Sequence, residues 1–433
     1  MKQNYQTIDA AATDLAVPDA VSIALGEVMA DVREGLLAMA VGTGLQVMVA
    51  MMDADVAAAC GPKGRHDANR AAVRHGSEQG SLTLGGRRVP ITRPRMRAAD
   101  GSGELPVPSY DLFSGTDVLG RMAMGKMLAG ISTRGWRVGL EPVGEQVERE
   151  ATSTSKSAIS RRFVKATETA LGELLAAPLA GLDLVALMLD GVHFGEHVCV
   201  VALGIGIDGT KHPLALVEGD TENATVVTDL LVGLRERGLD VTRPILVVID
   251  GAKALRAAVT RVFDHPVIAR CQIHKLRNVA DRLPDRLAST VTKRMRRAYH
   301  AESALAAEAQ LEALAKELDR THPGAAASLR EGLPETLTVL RLGVPPTLAR
   351  TLRSTNSIES MISIARTHSR NVKHWRNGQM TLRWCAAGMA EAGKQFRRVN
   401  GHMHLAALRR ALDEHVAAET VGTVRHDEPV IAA

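Results

Sequence analysis

Two short stretches of the chain, ALMLDG (Ala186–Gly191) and LVVIDG (Leu246–Gly251), share one pattern: an apolar run that ends in Asp-Gly. Their aspartates, Asp190 and Asp250, lie sixty positions apart. Short apolar runs bounded by turn residues are typical of buried strands, and ligands bind where strands of an α/β sheet end. Either Asp-Gly alone can simply begin a turn. As a matched pair, the two carboxylates indicate a site where a cation offsets concentrated negative charge.

The residues around these stretches predict a mixed α/β domain. Strand-like runs between 184 and 271 are LVALMLDG, HVCVVALGIGIDG, KHPLALVEGD, PILVVIDG and HPVIARC. Residues 221–237, capped near Thr221, and a short segment from Ala252 have helical patterns. The predicted order, β-β-β-α-β-α-β, describes buried strands flanked by helices. Residues 275–350 are rich in Ala, Leu, Arg and Glu and are punctuated by prolines, which predicts an all-helical segment.

The part of the chain before this domain predicts helices and one hairpin. Residues 14–60 and 115–178 have helical composition, and residues 80–107 alternate β-branched residues around a Gly-Gly turn. The segment from Ser153 to Thr167 fits the second helix of a helix-turn-helix or a plain surface helix. Beyond residue 351 the chain is basic and helical, and it is expected to fray past about Val421.

Positive charge is concentrated in three segments, although the net charge is only +5. Gly61–Ala98 and Arg270–His300 each hold nine Lys or Arg against two acids, and Met361–Asn400 holds eight against one. Each could be a solvated face, and the hairpin a solubilising edge, but three together favour a nucleic-acid partner. The expected phosphate contacts are Arg87, Arg88, Arg93, Arg95, Arg97, Lys156, Arg161, Arg162, Arg370 and Lys373.

Cysteine usage and the N-terminus favour a reducing, cytoplasmic location. The four cysteines are scattered and form no C-x-x-C pair, which argues against a disulfide framework and against a four-cysteine zinc site. The N-terminus lacks the basic and apolar regions of a signal peptide. No uninterrupted apolar run is expected to span a membrane.

Two further motifs bear on the chemistry. Glu359 follows the N-cap candidate Asn356 by three positions, so it is either a capping-box partner or a third carboxylate directed at the crevice. Mg²⁺ prefers such oxygen ligands, and Arg366, seven positions on, could meet a phosphate. Cys271 and His274 form a C-x-x-H, but no second pair of zinc ligands follows nearby, so a structural pair is favoured over a zinc site.

Taken together, LMLDGVHF, VVIDGAKAL, RCQIHKL and STNSIES resemble the transposases of bacterial insertion sequences in the Mutator group. The resemblance runs from about Arg70 to Phe396. It implies a ribonuclease-H-like catalytic domain whose DDE triad is Asp190, Asp250 and Glu359, with a helical insertion before the glutamate. It also implies that Cys271 and His274 are the C/D-x-x-H signature of the family and that Arg366 is the basic residue after the glutamate. His193 receives no role.

The resemblance further implies an activity and its partners. Two Mg²⁺ (or Mn²⁺) ions held by the triad would support hydrolysis of a phosphodiester at the transposon end and then strand transfer. The partners would be double-stranded DNA, as terminal inverted repeats and as target, and a second copy of the chain in a homodimer or larger assembly. The alternatives are a catalytically silent, domesticated transposase that regulates by binding DNA, and a metal-dependent nuclease or phosphatase without strand transfer.

The expected fold class is α/β: a ribonuclease-H-like mixed-sheet domain with an all-helical insertion, preceded by a helical and β-hairpin DNA-binding region. The expected divisions are an N-terminal helical region (1–60), the DNA-binding region (61–180), the first part of the catalytic domain (181–274), the helical insertion (275–350), the final catalytic helices with the basic C-terminal segment (351–420), and a tail (421–433).

Overall fold

The computed structural model describes residues 19–65, 70–141, 143–219, 221 and 223–426. The chain forms two compact units, one made of Met1–Ala123 and Thr133–Arg162, the other of Met124–Ser132 and Phe163–Ala433. The elements up to residue 176 are, in chain order, α1 (Asp19–Cys60), β1 (Ala72–Leu84), β2 (Arg87–Ala98), β3 (Glu104–Leu105), α2 (Pro108–Ser114), α3 (Asp117–Leu128), α4 (Glu145–Glu150) and α5 (Lys156–Ala176).

The predicted hairpin is present in the first unit. β1 and β2 pair antiparallel around the two-residue turn Gly85-Gly86, and both glycines have positive φ, which other residues rarely adopt. β1 begins at Ala72, eight positions before the expected start. Met52 and Val56 of α1 pack with Met96 in an apolar cluster beside the hairpin. The predicted N-terminal helix is α1, and residues 1–18, including the expected start near Asp14, lie outside the described residues.

The predicted helical stretch 115–178 is interrupted. Gly130 and Gly144 have positive φ, and no helix forms between the end of α3 and the start of α4 in the described residues there. α5 begins at Lys156, inside the segment expected to be helical, and Thr152 just before it forms an isolated antiparallel bridge with Arg88. A helix-turn-helix needs a first helix before α5. The helix that precedes α5 is the six-residue α4, and the bridge at Thr152 lies between the two, so the helix-turn-helix stays a prediction.

One helix corrects the expectation about membrane-spanning length. Met39–Cys60 in α1 is long and apolar enough to cross a bilayer by length and composition. It contains Asp53 and Asp55, and Met52 and Val56 are buried against the first unit's own core. Only 17% of the span is buried, but a single helix of this kind is weak evidence and does not indicate a membrane protein.

The second unit is a mixed α/β fold. Its elements are, after α5, β4 (Leu184–Phe194), β5 (His197–Gly206), β6 (Lys211–Glu218), α6 (Ala224–Glu236), β7 (Ile245–Ile249), α7 (Lys253–Val262), β8 (Pro266–Arg270), α8 (Gln272–Ala280), α9 (Asp285–Ala298), α10 (Ala304–Asp319), α11 (Pro323–Arg330), α12 (Leu333–Thr336), α13 (Thr338–Arg341), α14 (Pro346–Leu352), α15 (Asn356–Ser369), α16 (Gly378–Gln395), a 3-10 turn (His402–His404) and α17 (Leu405–His426). The predicted β-β-β-α-β-α-β order is confirmed, and residues 272–352 are helical apart from their connections.

Its described strands form one five-stranded sheet in the order β6-β5-β4-β7-β8. The three strands β6, β5 and β4 are antiparallel, whereas β4, β7 and β8 run parallel. Because side chains alternate along a strand, the sheet has two apolar faces. One packs on α6 and α7 around Leu187 and Val247, and the other packs on α15, α16 and α17 around Met188 and Val248.

Three boundaries differ from the sequence predictions. Asp190 does not end its strand, since β5 continues to pair with β4 as far as Phe194↔His197. α6 is capped by Asn223 and not by Thr221, because the Asn223 side chain accepts the Thr225 and Val226 amides. The tail expected to fray past Val421 is helical to His426, and residues 427–433 lie outside the described residues.

Candidate active site

The parallel register between β4 and β7 brings the two aspartates together. Met188 pairs with Val248, an offset of sixty positions, and this offset also separates Asp190 from Asp250. β7 ends at Ile249, so Asp250 follows the strand while Asp190 remains paired with Val201 on the other side of β4. The repeated Asp-Gly pattern therefore places two carboxylates at one level of the sheet.

Side-chain alternation directs these carboxylates to the face covered by α15. Met188 and Val248 belong to the apolar cluster under α15, and residues two positions later in a strand share that face. The same reasoning applies to Cys271, two positions after Ala269 of β8. Three neighbouring strands thus bring Asp190, Asp250 and Cys271 to the helix that carries Glu359.

Asp190 is the carboxylate whose protonation the surroundings change most clearly. It is 8% exposed, and its Oδ1 accepts the Gly191 amide at 2.8 Å. Burial raises its pKa to about 6, the negative charges of Asp250 and Glu359 act in the same direction, and the Gly191 amide and His274 oppose them. Desolvation and like charge both disfavour the ionised form, so this site favours either a proton or a cation.

Glu359 lies in the first turn of α15 and is fixed by its own helix start. Thr355, not Asn356, is the N-cap residue, so Glu359 is the fourth helical residue and no capping box forms. The Thr355 hydroxyl donates to Glu359 Oε1 at 2.8 Å. The capping-box interpretation is therefore wrong, and the carboxylate lies about one-third exposed, 3.9 Å from His274 Nε2.

Cys271 and His274 join the cluster from the start of α8. The donor atoms of Cys271, His274 and Glu359 all lie within 4.8 Å of one another. Interaction with the Cys271 thiol raises the pKa of His274 to about 8, against the effect of burial and with help from the charges of Asp190 and Glu359. His274 is therefore mainly cationic at neutral pH, when it attracts the carboxylates and is a poor metal ligand.

The glycines after the two aspartates are closely surrounded, so a side chain at either position would meet its neighbours. Gly251 has φ +112, and an added Cβ would lie 3.2 Å from the Arg270 guanidinium. A Cβ on Gly191 would lie 3.0 Å from the Thr221 methyl group. Arg270 is buried and forms an ion pair with Glu335 at 2.9 Å. This ion pair joins the end of β8, beside Asp250, to helix α12.

Among the expected DNA contacts in the second unit, the basic residues of the α15 region are on the surface. Arg366 is exposed on α15, two turns after Glu359, and Arg370 and Lys373 are exposed just after that helix. No contact in the structure joins Arg366 to the carboxylate cluster among the described residues.

The expected contacts in the first unit are largely engaged within it. Arg87 is 2% exposed and forms an ion pair with Glu148 at 2.7 Å, which corrects its assignment as a phosphate contact. Arg93 and Arg95 bind Glu78 and Glu104.

The remaining residues of that set differ in exposure. Arg88 donates to the Ser114 carbonyl and to the Thr83 and Ser81 hydroxyls, and Arg162 donates to the Ser153 carbonyl at 2.6 Å. Arg97, Lys156 and Arg161 are exposed.

Two residues that support the cluster, Thr355 and Arg270, were not among the predicted site residues. Thr355 is fully buried, and its hydroxyl contacts both Glu359 and, at 3.4 Å, Cys271 Sγ. Arg270 was counted only as surface charge, although it is buried against Gly251. The motif STNSIES contains Thr355, but nothing local in it signals a contact with a cysteine 84 positions away.

Comparison with known proteins identifies the family of the chain. A family model described as "Transposase, Mutator family" matches residues 22–399. The transposase for insertion sequence element IS6120 of Mycolicibacterium smegmatis is 30% identical over 276 residues, which are 62% of this chain and 84% of that protein. The transposase for insertion sequence element ISRM5 of Rhizobium meliloti is 27% identical over 370 residues, 84% of this chain and 89% of that protein. The chain belongs to the Mutator family of transposases.

Proposed function

We propose that this protein is a DNA transposase that binds the terminal inverted repeats of an insertion sequence and carries out metal-dependent phosphodiester hydrolysis and strand transfer. The observation that carries the proposal is the register that sets Asp190 beside Asp250, on the sheet face where α15 presents Glu359. Three carboxylates from three separate elements lie close enough for the charges of Asp250 and Glu359 to act on Asp190, at a place where folding alone gains nothing from their charge. The chain's membership of a transposase family supplies the reaction.

The topology supports a ribonuclease-H-like catalytic domain. In such a domain an antiparallel three-stranded hairpin sheet continues into parallel strands, and the order β6-β5-β4-β7-β8 has this form. The helices between β8 and α15 then correspond to an inserted helical subdomain. This interpretation places all three triad residues in the second unit.

The donor set fits a hard divalent ion. Asp190, Asp250 and Glu359 offer oxygen ligands, which Mg²⁺ and Mn²⁺ prefer. Burial, with smaller contributions from Asp250 and Glu359, raises the pKa of Asp190, so a bound cation would offset negative charge that is otherwise unfavourable there. Bound there, two such ions would supply activation of the attacking oxygen and stabilisation of the leaving oxygen at a phosphodiester.

The chain's own residues would position the three carboxylates and offset part of their negative charge. Asp190 is held by the Gly191 amide and Asp250 by the Ala252 amide, whose bond to Oδ1 is 2.9 Å. Thr355 orients the Glu359 carboxylate, and cationic His274 adds positive charge near the cluster. Arg366, Arg370 and Lys373 bind DNA phosphates at the surface, and the likeness to insertion-sequence transposases supports a dimer or larger assembly on paired DNA ends in the cytoplasm.

The test is Mg²⁺-dependent cleavage of DNA that carries the element's own ends. Asp190→Asn, Asp250→Asn and Glu359→Gln should each lose cleavage and joining while retaining DNA binding. Asp229→Asn, which changes an exposed carboxylate on α6, is the matched control and should cleave normally. Binding without any cleavage by the wild-type protein would support the silent regulator instead, and cleavage that never yields a joined product would support a nuclease.

A further inference from the structure

A cavity lies directly behind the carboxylate cluster, between the start of α8, the end of α9 and the connection from α14 to α15. Its volume is about 180 Å³, several times the roughly 30 Å³ that one molecule occupies in liquid water. Ser354 and Asn356 in its wall flank Thr355, and Gln272 and Ile273 lie between Cys271 and His274. The wall and the cluster therefore share the same two short backbone segments.

The polar part of this wall is cationic. The ten lining residues include no Asp or Glu, and four of them are basic: Arg296, His300, Arg350 and Arg353. None of the three arginines has a carboxylate within 4 Å in the part of the chain that the structure describes. Arg353 instead donates to His300 Nε2 at 2.9 Å, and burial together with the charge of Arg350 lowers its pKa. Like charges collected without a counter-ion are unfavourable unless an anion joins them.

Buried donors in the wall are left without partners. Ser354 is 2% exposed, and its hydroxyl forms no hydrogen bond within the described residues. The hydroxyl of Tyr299, 5% exposed, lies near the Thr336 side chain but forms no hydrogen bond of good geometry there. Buried hydroxyl groups normally have hydrogen-bond partners, because a buried hydroxyl without one costs about 1–3 kcal/mol of folding stability. The N-termini of α8 and α15 also meet this wall, at Gln272 and Asn356, and helix N-termini attract anions.

We propose that this cavity binds a phosphate group of the DNA strand next to the site of cleavage, with Arg350 and Arg353 as the charged contacts and Ser354 as a buried donor. A tetrahedral oxyanion suits all three features: it is attracted by the cationic wall, it accepts a hydrogen bond from the unpartnered hydroxyl, and it is attracted by the two helix N-termini. That the oxyanion belongs to DNA rests on the proposed function, whereas the anion site itself does not.

Two measurements on the full-length protein separate these claims. The first is thermal unfolding with inorganic phosphate against chloride at equal ionic strength. Phosphate should raise the melting temperature of the wild-type protein, and Arg350→Gln, Arg353→Gln and Ser354→Ala should reduce that rise. Arg320→Gln, which removes an exposed arginine from the C-cap of α10, should leave it unchanged.

The second is the salt dependence of binding to duplex DNA from the element's ends, without divalent metal so that cleavage has no part. Each arginine variant should lower the slope of log K against log salt by about 0.9, the value of one lost phosphate contact on duplex DNA, and the Arg320 control should not. Unchanged slopes with an intact phosphate effect would overturn the assignment to DNA in favour of free phosphate.

The Ser354→Ala variant distinguishes a ligand from a simple packing defect. If the Ser354 hydroxyl is only a buried group without a hydrogen bond, its removal stabilises the protein and leaves the phosphate-induced rise in melting temperature unchanged. That result would contradict its role as a donor to phosphate. Loss of both responses in the wild-type protein would overturn the proposal as a whole. A wild-type protein that binds no DNA would contradict the proposed function, and the phosphate measurement would then decide the anion site alone.

Discussion

Asp190 in the middle of β4 lies level with Asp250, the residue that follows β7, because the parallel register of the two strands is sixty positions. The cost of this arrangement in the metal-free protein is visible in the pKa of Asp190, which burial and the neighbouring carboxylates raise from 3.8 to about 6. A site built for a cation should therefore destabilise the fold when the cation is absent.

Asp190→Asn should stabilise the metal-free protein at pH 8. A carboxyl group whose pKa is higher in the folded than in the unfolded state contributes stability below pH 4 that is lost as the pH rises through 6. Two pKa units correspond to up to about 3 kcal/mol. Urea unfolding should show the variant more stable than the wild type at pH 8 and equal to it near pH 4. Asp229→Asn should show no such pH-dependent gain, and a less stable Asp190→Asn at pH 8 would contradict this account.

Thr355 should act on cleavage through Glu359. Thr355→Val keeps the shape but removes the hydroxyl that donates to Glu359 Oε1, and losing such a supporting bond typically costs about 10- to 100-fold in activity or metal affinity. Thr355→Ser should retain most activity. Thr367→Val removes a hydroxyl that bonds only its own helix, to the Ser363 carbonyl, and is the control. Equal cleavage rates for Thr355→Val and Thr367→Val at saturating metal and at limiting metal would refute the role.

Glu335 should matter for stability far more than its position on α12 indicates. It holds Arg270, which is buried against Gly251, and it also pairs with Arg256. Glu335→Gln leaves the buried Arg270 charge with only the more distant Glu331 carboxylate, at 3.9 Å, and we expect a loss of about 3 kcal/mol in the free energy of unfolding. Glu317→Gln breaks an exposed pair with Arg294 and should cost less than about 1 kcal/mol. Similar losses in the free energy of unfolding of the two variants, measured by urea titration, would show that the Arg270–Glu335 pair stabilises the fold no more than an exposed pair does.

The Cys271, His274 and Glu359 cluster should contain no zinc. With a pKa of about 8, His274 must lose a proton before it binds a metal at neutral pH, and the cluster offers three donors where a structural zinc site uses four. Elemental analysis of protein purified without chelator should therefore find far less than one zinc per chain. Cys271→Ser should impair activity or folding even so, because the thiol packs against Thr355. One zinc per wild-type chain, absent from Cys271→Ser, would show that the cluster is a zinc site.

The sequence was sufficient for the sheet and for its two aspartates. ALMLDG and LVVIDG begin sixty positions apart, and the residues that pair between β4 and β7 are also sixty positions apart. Two parallel neighbouring strands with the same pattern can therefore pair position by position. It was not sufficient for the end of β4, which depends on pairing with β5, nor for Thr355 and Arg270. Their partners lie 65 to 84 positions away in the chain, and local patterns carry no information about such contacts. Glu359 was ambiguous for a different, local reason, because its capping alternative depended on which residue begins α15.

The central claim is that Asp190 and Asp250 hold the same catalytic cation. Asp190→Cys and Asp250→Cys replace a hard oxygen ligand by a softer thiolate, which favours Mn²⁺ over Mg²⁺. The most direct measurement is cleavage of the element's end DNA by these two variants with each metal. We predict that both are inactive with Mg²⁺ and recover activity with Mn²⁺, while Asp229→Cys behaves as wild type with either. Full activity of either site variant with Mg²⁺ would contradict the claim.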